Sequence, residues 1–140
     1  MNRFAQVSFA LTLFLCSATG QTRYLDEIFS GVNIREGVQY GSNINNVGQP
    51  VTLLMNYFQP ANDTAARRPV IVFVHGGAFV SGSRTDSKVR EFCARFSRRG
   101  YITSSIDYRL GVSNPLSRSD FIQAGYRAMQ DAKAAVRYFR

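Results

Sequence analysis

The 140 residues are 45% hydrophobic and 19% charged, a composition that excludes an intrinsically disordered chain and suits a single globular domain. The formal charge of +8 raises the question of a nucleic-acid partner, yet the basic residues stand singly or in pairs such as Arg67-Arg68 and Arg98-Arg99, interleaved with acids. Without a basic run or a nucleic-acid motif they read as a solvated face, and no nucleic-acid partner is expected.

Residues 1–20 read as a secretory signal peptide. Met1-Asn2-Arg3 carries one positive charge, Phe4 to Cys16 is largely apolar and uncharged, and Ser17-Ala18-Thr19-Gly20 supplies small residues for cleavage near Gly20-Gln21. The apolar core is too short to span a membrane. A lipid anchor at Cys16 is disfavoured by the bulky Leu15 before it, so the expected location is secreted or periplasmic. Export implies an oxidising compartment, but cleavage leaves Cys93 without a partner cysteine in the chain. It is read as a buried thiol on a helix face, the alternative being a partner beyond Arg140. Asn62-Asp63-Thr64 matches a glycosylation acceptor, relevant in a eukaryotic host.

Residues 21–35 form an irregular lead-in. Gly37 to Gly41 reads as a short strand, 43–49 as a hairpin connection, and Val51 to Phe58 as a second strand that Pro60 stops. Val70-Ile71-Val72-Phe73-Val74 is apolar throughout and β-branched at four of its five positions, which predicts a central strand of a parallel sheet covered on both faces. His75-Gly76-Gly77-Ala78-Phe79 follows directly. Two glycines after a strand let the backbone turn sharply and approach a ligand, and the carboxyl ends of parallel strands are where ligands bind in open α/β sheets.

Beyond the polar stretch 81–85, Asp86 or Ser87 caps a helix running to about Arg99, with Val89, Phe92, Cys93 and Phe96 as one apolar stripe facing the sheet. Gly100 ends it, and Tyr101 to Tyr108 is the next strand, giving a right-handed strand–helix–strand crossover. After a loop over 111–119, a helix starts near Asp120 with Gln123 in capping-box position. Ala124, Ala128, Ala132, Ala135, Val136 and Phe139 share one face of it, a small-residue stripe that permits close packing.

His75-Gly76-Gly77-Ala78-Phe79 with Ser81-Gly82, then Asp107-Tyr108-Arg109-Leu110, then the helix Ala128 to Arg137, in that order, resembles carboxylesterases and lipases of the α/β-hydrolase fold with a His-Gly-Gly oxyanion loop. The resemblance runs from about Val38 to Phe139. It implies an α/β chain holding the N-terminal half of that fold: an antiparallel first hairpin leading into a parallel sheet with flanking helices. By the same resemblance Gly77 and Ala78 donate backbone N–H groups to an oxyanion, Gly76 and His75 shape the loop, and Phe79 walls the acyl site. Ala78 stands where the family often has a third glycine. Asp107 reads as a structural carboxylate paired with Arg109, because the family's triad acid follows the serine in chain order.

The sequence holds no Gly-x-Ser-x-Gly. Gly111-Val112-Ser113-Asn114-Pro115 comes nearest and lacks the second glycine, and His75 is the only histidine. In the family the base follows the nucleophile, so His75 is read as structural. Nucleophile, acid and base are therefore expected outside this chain. The chain is read as the N-terminal part of a larger hydrolase, truncated before the nucleophile elbow, inactive alone and with one sheet edge open. The implied parent is a secreted carboxylic ester hydrolase acting through a serine on small-molecule esters, without metal or cofactor. The alternatives are a non-catalytic binding protein of the same fold and a serine peptidase of the same superfamily.

Overall fold

The computed structural model describes residues 22–114 and 117–140; the signal-peptide segment lies outside them. Six elements follow in order: β1 (Val32–Ile44), β2 (Pro50–Pro60), β3 (Val70–Val74), α1 (Ser87–Arg98), β4 (Ile102–Ile106) and α2 (Arg118–Tyr138). They build one four-stranded sheet in the order β1-β2-β4-β3. β1 and β2 form the expected antiparallel hairpin, β2 pairs antiparallel with β4, and β3 runs parallel to β4. β1 is much longer than the expected 37–41 because it follows β2 along nearly its whole length, from Val32 opposite Pro60 to Ile44 opposite Pro50. Register shifts at Arg35/Val38 and Gln39/Gly41 break the alternation that would have shown this strand in sequence.

β4 is buried at every position, whereas β3 is the outer strand. Val70 and Val74 are 39% and 49% exposed, so the expected central strand lies, among the described residues, at a sheet edge with β4 as its one neighbour. One core gathers Tyr40, Leu53, Met55, Ile106 and Ala135, with Val38, Val51, Val72 and Phe139 packed around it.

Asp86 caps α1, its carboxylate accepting from the amides of Lys88 at 3.0 Å and Val89 at 3.1 Å. The inward face of α1 differs from the expected stripe. Cys93 and Ser97 are fully buried, while Phe92 is 51% exposed and lies against Phe73. The helix is rotated toward Ser97 because β4 offers it a polar contact: Thr103 donates to the Cys93 carbonyl at 2.9 Å and its hydroxyl meets Ser97 Oγ at 3.0 Å. At the other end of α1 the lead-in serves as a strap, with the amides of Tyr24 and Phe29 donating to the carbonyls of Arg99 and Arg98 at 2.8 and 3.0 Å. These are carbonyls that a helix end leaves unsatisfied.

α2 begins one turn earlier than its expected cap. Ser117 is the N-cap, accepting from the Asp120 amide at 3.3 Å while donating to the Asp120 carboxylate at 3.1 Å. The expected capping box with Gln123 is not formed: Gln123 lies inside the helix, and the Asp120 carboxylate takes the Ser117 hydroxyl and the Asn114 amide while the Ser117 amide donates to the Asn114 carbonyl at 3.0 Å. Ala124, Ala128 and Ala135 are buried as expected, and Asp131 joins their face; Val136 is 45% exposed.

Candidate active site at the end of β3

β3 releases the chain at His75, and the next residues form a tight turn. The amides of Val80 and Ser81 donate to the Gly77 carbonyl at 3.0 and 3.2 Å. Gly77 has φ 113°, Ala78 φ 52° and Phe79 φ 61°, three successive residues in left-handed backbone. Only glycine could stand at 77, where a Cβ would lie 2.1 Å from the Ser81 carbonyl oxygen. Alanine at 78 holds a conformation that costs an L-residue about 1–2 kcal/mol.

Gly76, Gly77 and Ala78 are exposed. Neither the Gly77 nor the Ala78 amide donates to a partner among the described residues. Free N–H groups on adjacent residues at the mouth of a sheet are suited to receive an anionic oxygen.

The walls of the turn are aromatic. His75 is 5% exposed, with its ring stacked on Tyr108 at 4.4 Å between centroids. His75 Nδ1 lies 2.7 Å from the Gly76 carbonyl oxygen, and since a carbonyl only accepts, Nδ1 carries the proton. Gly82 closes over this ring: a Cβ there would sit 2.2 Å from Nδ1. Tyr108 donates its hydroxyl to the His75 carbonyl at 3.0 Å, and burial raises its phenol pKa. Phe79 is half-buried, edge-on to Tyr108 at 6.1 Å, and its ring tip faces Gly125 of α2. Its carbonyl accepts from the Gly111 amide at 3.0 Å, which ties the turn to the loop after β4.

The expected pairing of Asp107 with Arg109 does not form. Asp107 accepts from the Arg84 amide at 2.7 Å and forms an ion pair with the Arg84 guanidinium. Arg109 grips Asp131 on α2. Adjacent side chains leaving a strand end point to opposite faces, so residues two apart can share a face yet be drawn to different partners by what lies on it. Tyr108 lay inside the recognised Asp-Tyr-Arg-Leu motif, but no local signal in the sequence marked Arg84.

The sequence profile of the BD-FAE family matches residues 55–140, more than half of the chain. Carboxylesterase 3 of Pongo abelii is 36% identical over 87 residues, which is 61% of this chain and 15% of that protein. Among solved structures, a thermophilic esterase of the Planctomycetes species Thermogutta terrifontis superposes with a TM-score of 0.52 at 30% identity, over 78% of this chain and 33% of that one. Esterase B of Lactobacillus rhamnosis gives a TM-score of 0.54 at 25% identity, over 83% of this chain and 32% of that one. The chain thus spans 15% of the curated relative and about a third of the solved structures. Its sheet and helices are the N-terminal half of an α/β-hydrolase fold of the esterase type, and the chain belongs to the BD-FAE family.

Proposed function

We propose that the whole protein is an exported carboxylic ester hydrolase working through a serine nucleophile, and that the residues described above supply its oxyanion site. The observation that carries this reading is the pair of exposed, unpartnered amides at Gly77 and Ala78, held in left-handed backbone at the end of β3. Attack on an ester carbonyl converts it into a tetrahedral oxyanion. Donors fixed before the reaction stabilise that charge without reorganising, and loss of one such donor costs about 10²–10³ in kcat.

In this reading Gly76 gives the turn its entry, His75 and Tyr108 fix its base, and Phe79 forms a wall beside the acyl group. The nucleophile, the general base and its orienting acid come from parts of the whole protein outside these 140 residues, since the sequence has one buried histidine and no Gly-x-Ser-x-Gly. Export rests on the three-part pattern of residues 1–20.

The test is to express the complete reading frame and the 140-residue chain side by side, with p-nitrophenyl butyrate as substrate and a fluorophosphonate as serine probe. The whole protein is expected to turn over the ester and take the label on a serine outside this chain, while the chain alone does neither. A folded whole protein that neither hydrolyses nor labels overturns the reading.

A further inference from the structure

The turn that carries Gly77 and Ala78 belongs to a longer loop, from His75 to Arg84, and both feet of that loop stand on consecutive residues at the end of β4. Tyr108 holds the first foot through the His75 carbonyl and the ring stack. Asp107 holds the second. Arg84 makes four bonds there: its amide donates to Asp107 Oδ1 at 2.7 Å, its guanidinium pairs with Asp107 Oδ2, its Nε donates to Asn56 Oδ1 at 3.1 Å, and its carbonyl accepts from Ser105 at 2.9 Å. Asn56 is fully buried on β2, where its Oδ1 also accepts from the Gly37 amide at 3.1 Å.

Two residues before Arg84, Gly82 presses against the His75 ring and the Gly76 carbonyl, where a Cβ would lie 2.2 and 2.5 Å away. Moving Arg84 therefore moves the lid over His75 and Gly76. We infer that Arg84, clamped by Asp107 and Asn56, is a positioning residue that fixes the Gly77 and Ala78 amides in the geometry an oxyanion needs. The catalytic part of this inference rests on the proposed function above; the mechanical part does not.

The Arg84 and Asp107 side chains are 21% and 30% exposed. A pair so placed adds little to global stability, since solvent screens it. Its effect falls on the loop. Because a misplacement of about 1 Å at a reacting centre costs up to about 100-fold in rate, a loosened loop is expected to lower kcat about tenfold or more while leaving KM nearly unchanged.

The experiment uses the complete protein with Arg84→Met, which keeps the length and removes the charge and donors, and Asp107→Asn as the milder variant that still accepts from the Arg84 amide. Arg98→Met, which breaks an exposed pair with Glu27 on the far side of α1, controls for the loss of a surface ion pair. Two readouts are taken on each: hydrogen exchange of the peptide covering 75–84, and kcat and KM on p-nitrophenyl butyrate. The inference expects exchange in that peptide to rise about tenfold in Arg84→Met, less in Asp107→Asn and not at all in Arg98→Met, with kcat falling in the same order at constant KM. Unchanged exchange in a folded Arg84→Met protein overturns it, and so does faster exchange with unchanged kcat. An inactive wild type whose loop still loosens in Arg84→Met overturns the proposed hydrolase and supports the clamp.

Discussion

Arg109 and Asp131 meet as a fork on a fork. Both Nε and Nη2 of the guanidinium donate to the carboxylate, at 2.9 and 2.8 Å, and the Arg109 amide adds a third donor at 2.9 Å. The side chains are 4% and 1% exposed. The remaining nitrogen reaches the Ile44 carbonyl at 2.7 Å, so this one arginine joins the end of β1, the loop after β4 and the middle of α2.

Breaking such a pair leaves a buried charge uncompensated, which costs about 3–5 kcal/mol. Asp131→Ala is therefore expected to lower stability by that amount in urea unfolding of the complete protein. Replacing both partners by apolar residues, Arg109→Met with Asp131→Leu, is expected to recover part of the loss because no charge then remains buried. Equal losses in the single and double variants would contradict this account.

Asp63 is the second node of the fold. Its carboxylate, 3% exposed, accepts from Arg23 at 2.6 Å and from Arg68 at 2.5 Å. The hydrogen bond from Arg23 leads the causes that hold its pKa well below the usual range, with Arg68 and the Ala65 amide behind it. A depressed folded-state pKa means that stabilisation is complete above the unfolded value of about 3.9 and is lost as pH falls below it toward the folded value. The gap in urea midpoint between wild type and Asp63→Asn should thus be constant from pH 7 to 5 and narrow steadily below about pH 4. A gap that persists undiminished at pH 2 would show that the charge of Asp63 contributes nothing.

Cys93 gives a chemical reading of the packing between α1 and β4. It is fully buried, and burial pushes its thiol up to about 11. The thiolate is the reactive form, so iodoacetamide at pH 8 should leave Cys93 unmodified in the native protein and alkylate it in denaturant, as followed by peptide mass spectrometry. Alkylation at equal rates in both states would mean that α1 does not stay docked.

The parts of the fold that local chemistry dictates were legible in the sequence. The apolar run 70–74, the Asp86 cap with Gly100 closing the helix, and the alanine face of α2 each depend on residues within a turn or two of one another. What escaped the sequence depends on distant partners. The length of β1 is set by its pairing with β2. Asp107 meets Arg84 and Arg109 meets Asp131, 23 and 22 residues away, where spacing alone favoured the pair two residues apart. At the candidate site the turn itself could be read from its glycines and from the resemblance. The contacts that hold its two feet could not: the motif around Tyr108 names no partner for it, and Arg84 meets Asp107 and Asn56 only because β4 and β2 lie side by side.

If the Ala78 amide donates to an oxyanion, removing its hydrogen must slow the reaction. Nonsense suppression with lactic acid at position 78 of the complete protein keeps the methyl group and replaces N–H by an ester oxygen. The amide has no partner among the described residues, so no native donor is lost; the ester also weakens the Gly77 carbonyl that accepts from Val80 and Ser81, and hydrogen exchange of the peptide covering 75–84 checks that the turn is kept. The kcat on p-nitrophenyl butyrate is expected to fall about 10²–10³-fold with KM within a fewfold of wild type. A folded, substituted protein with unchanged kcat would contradict it.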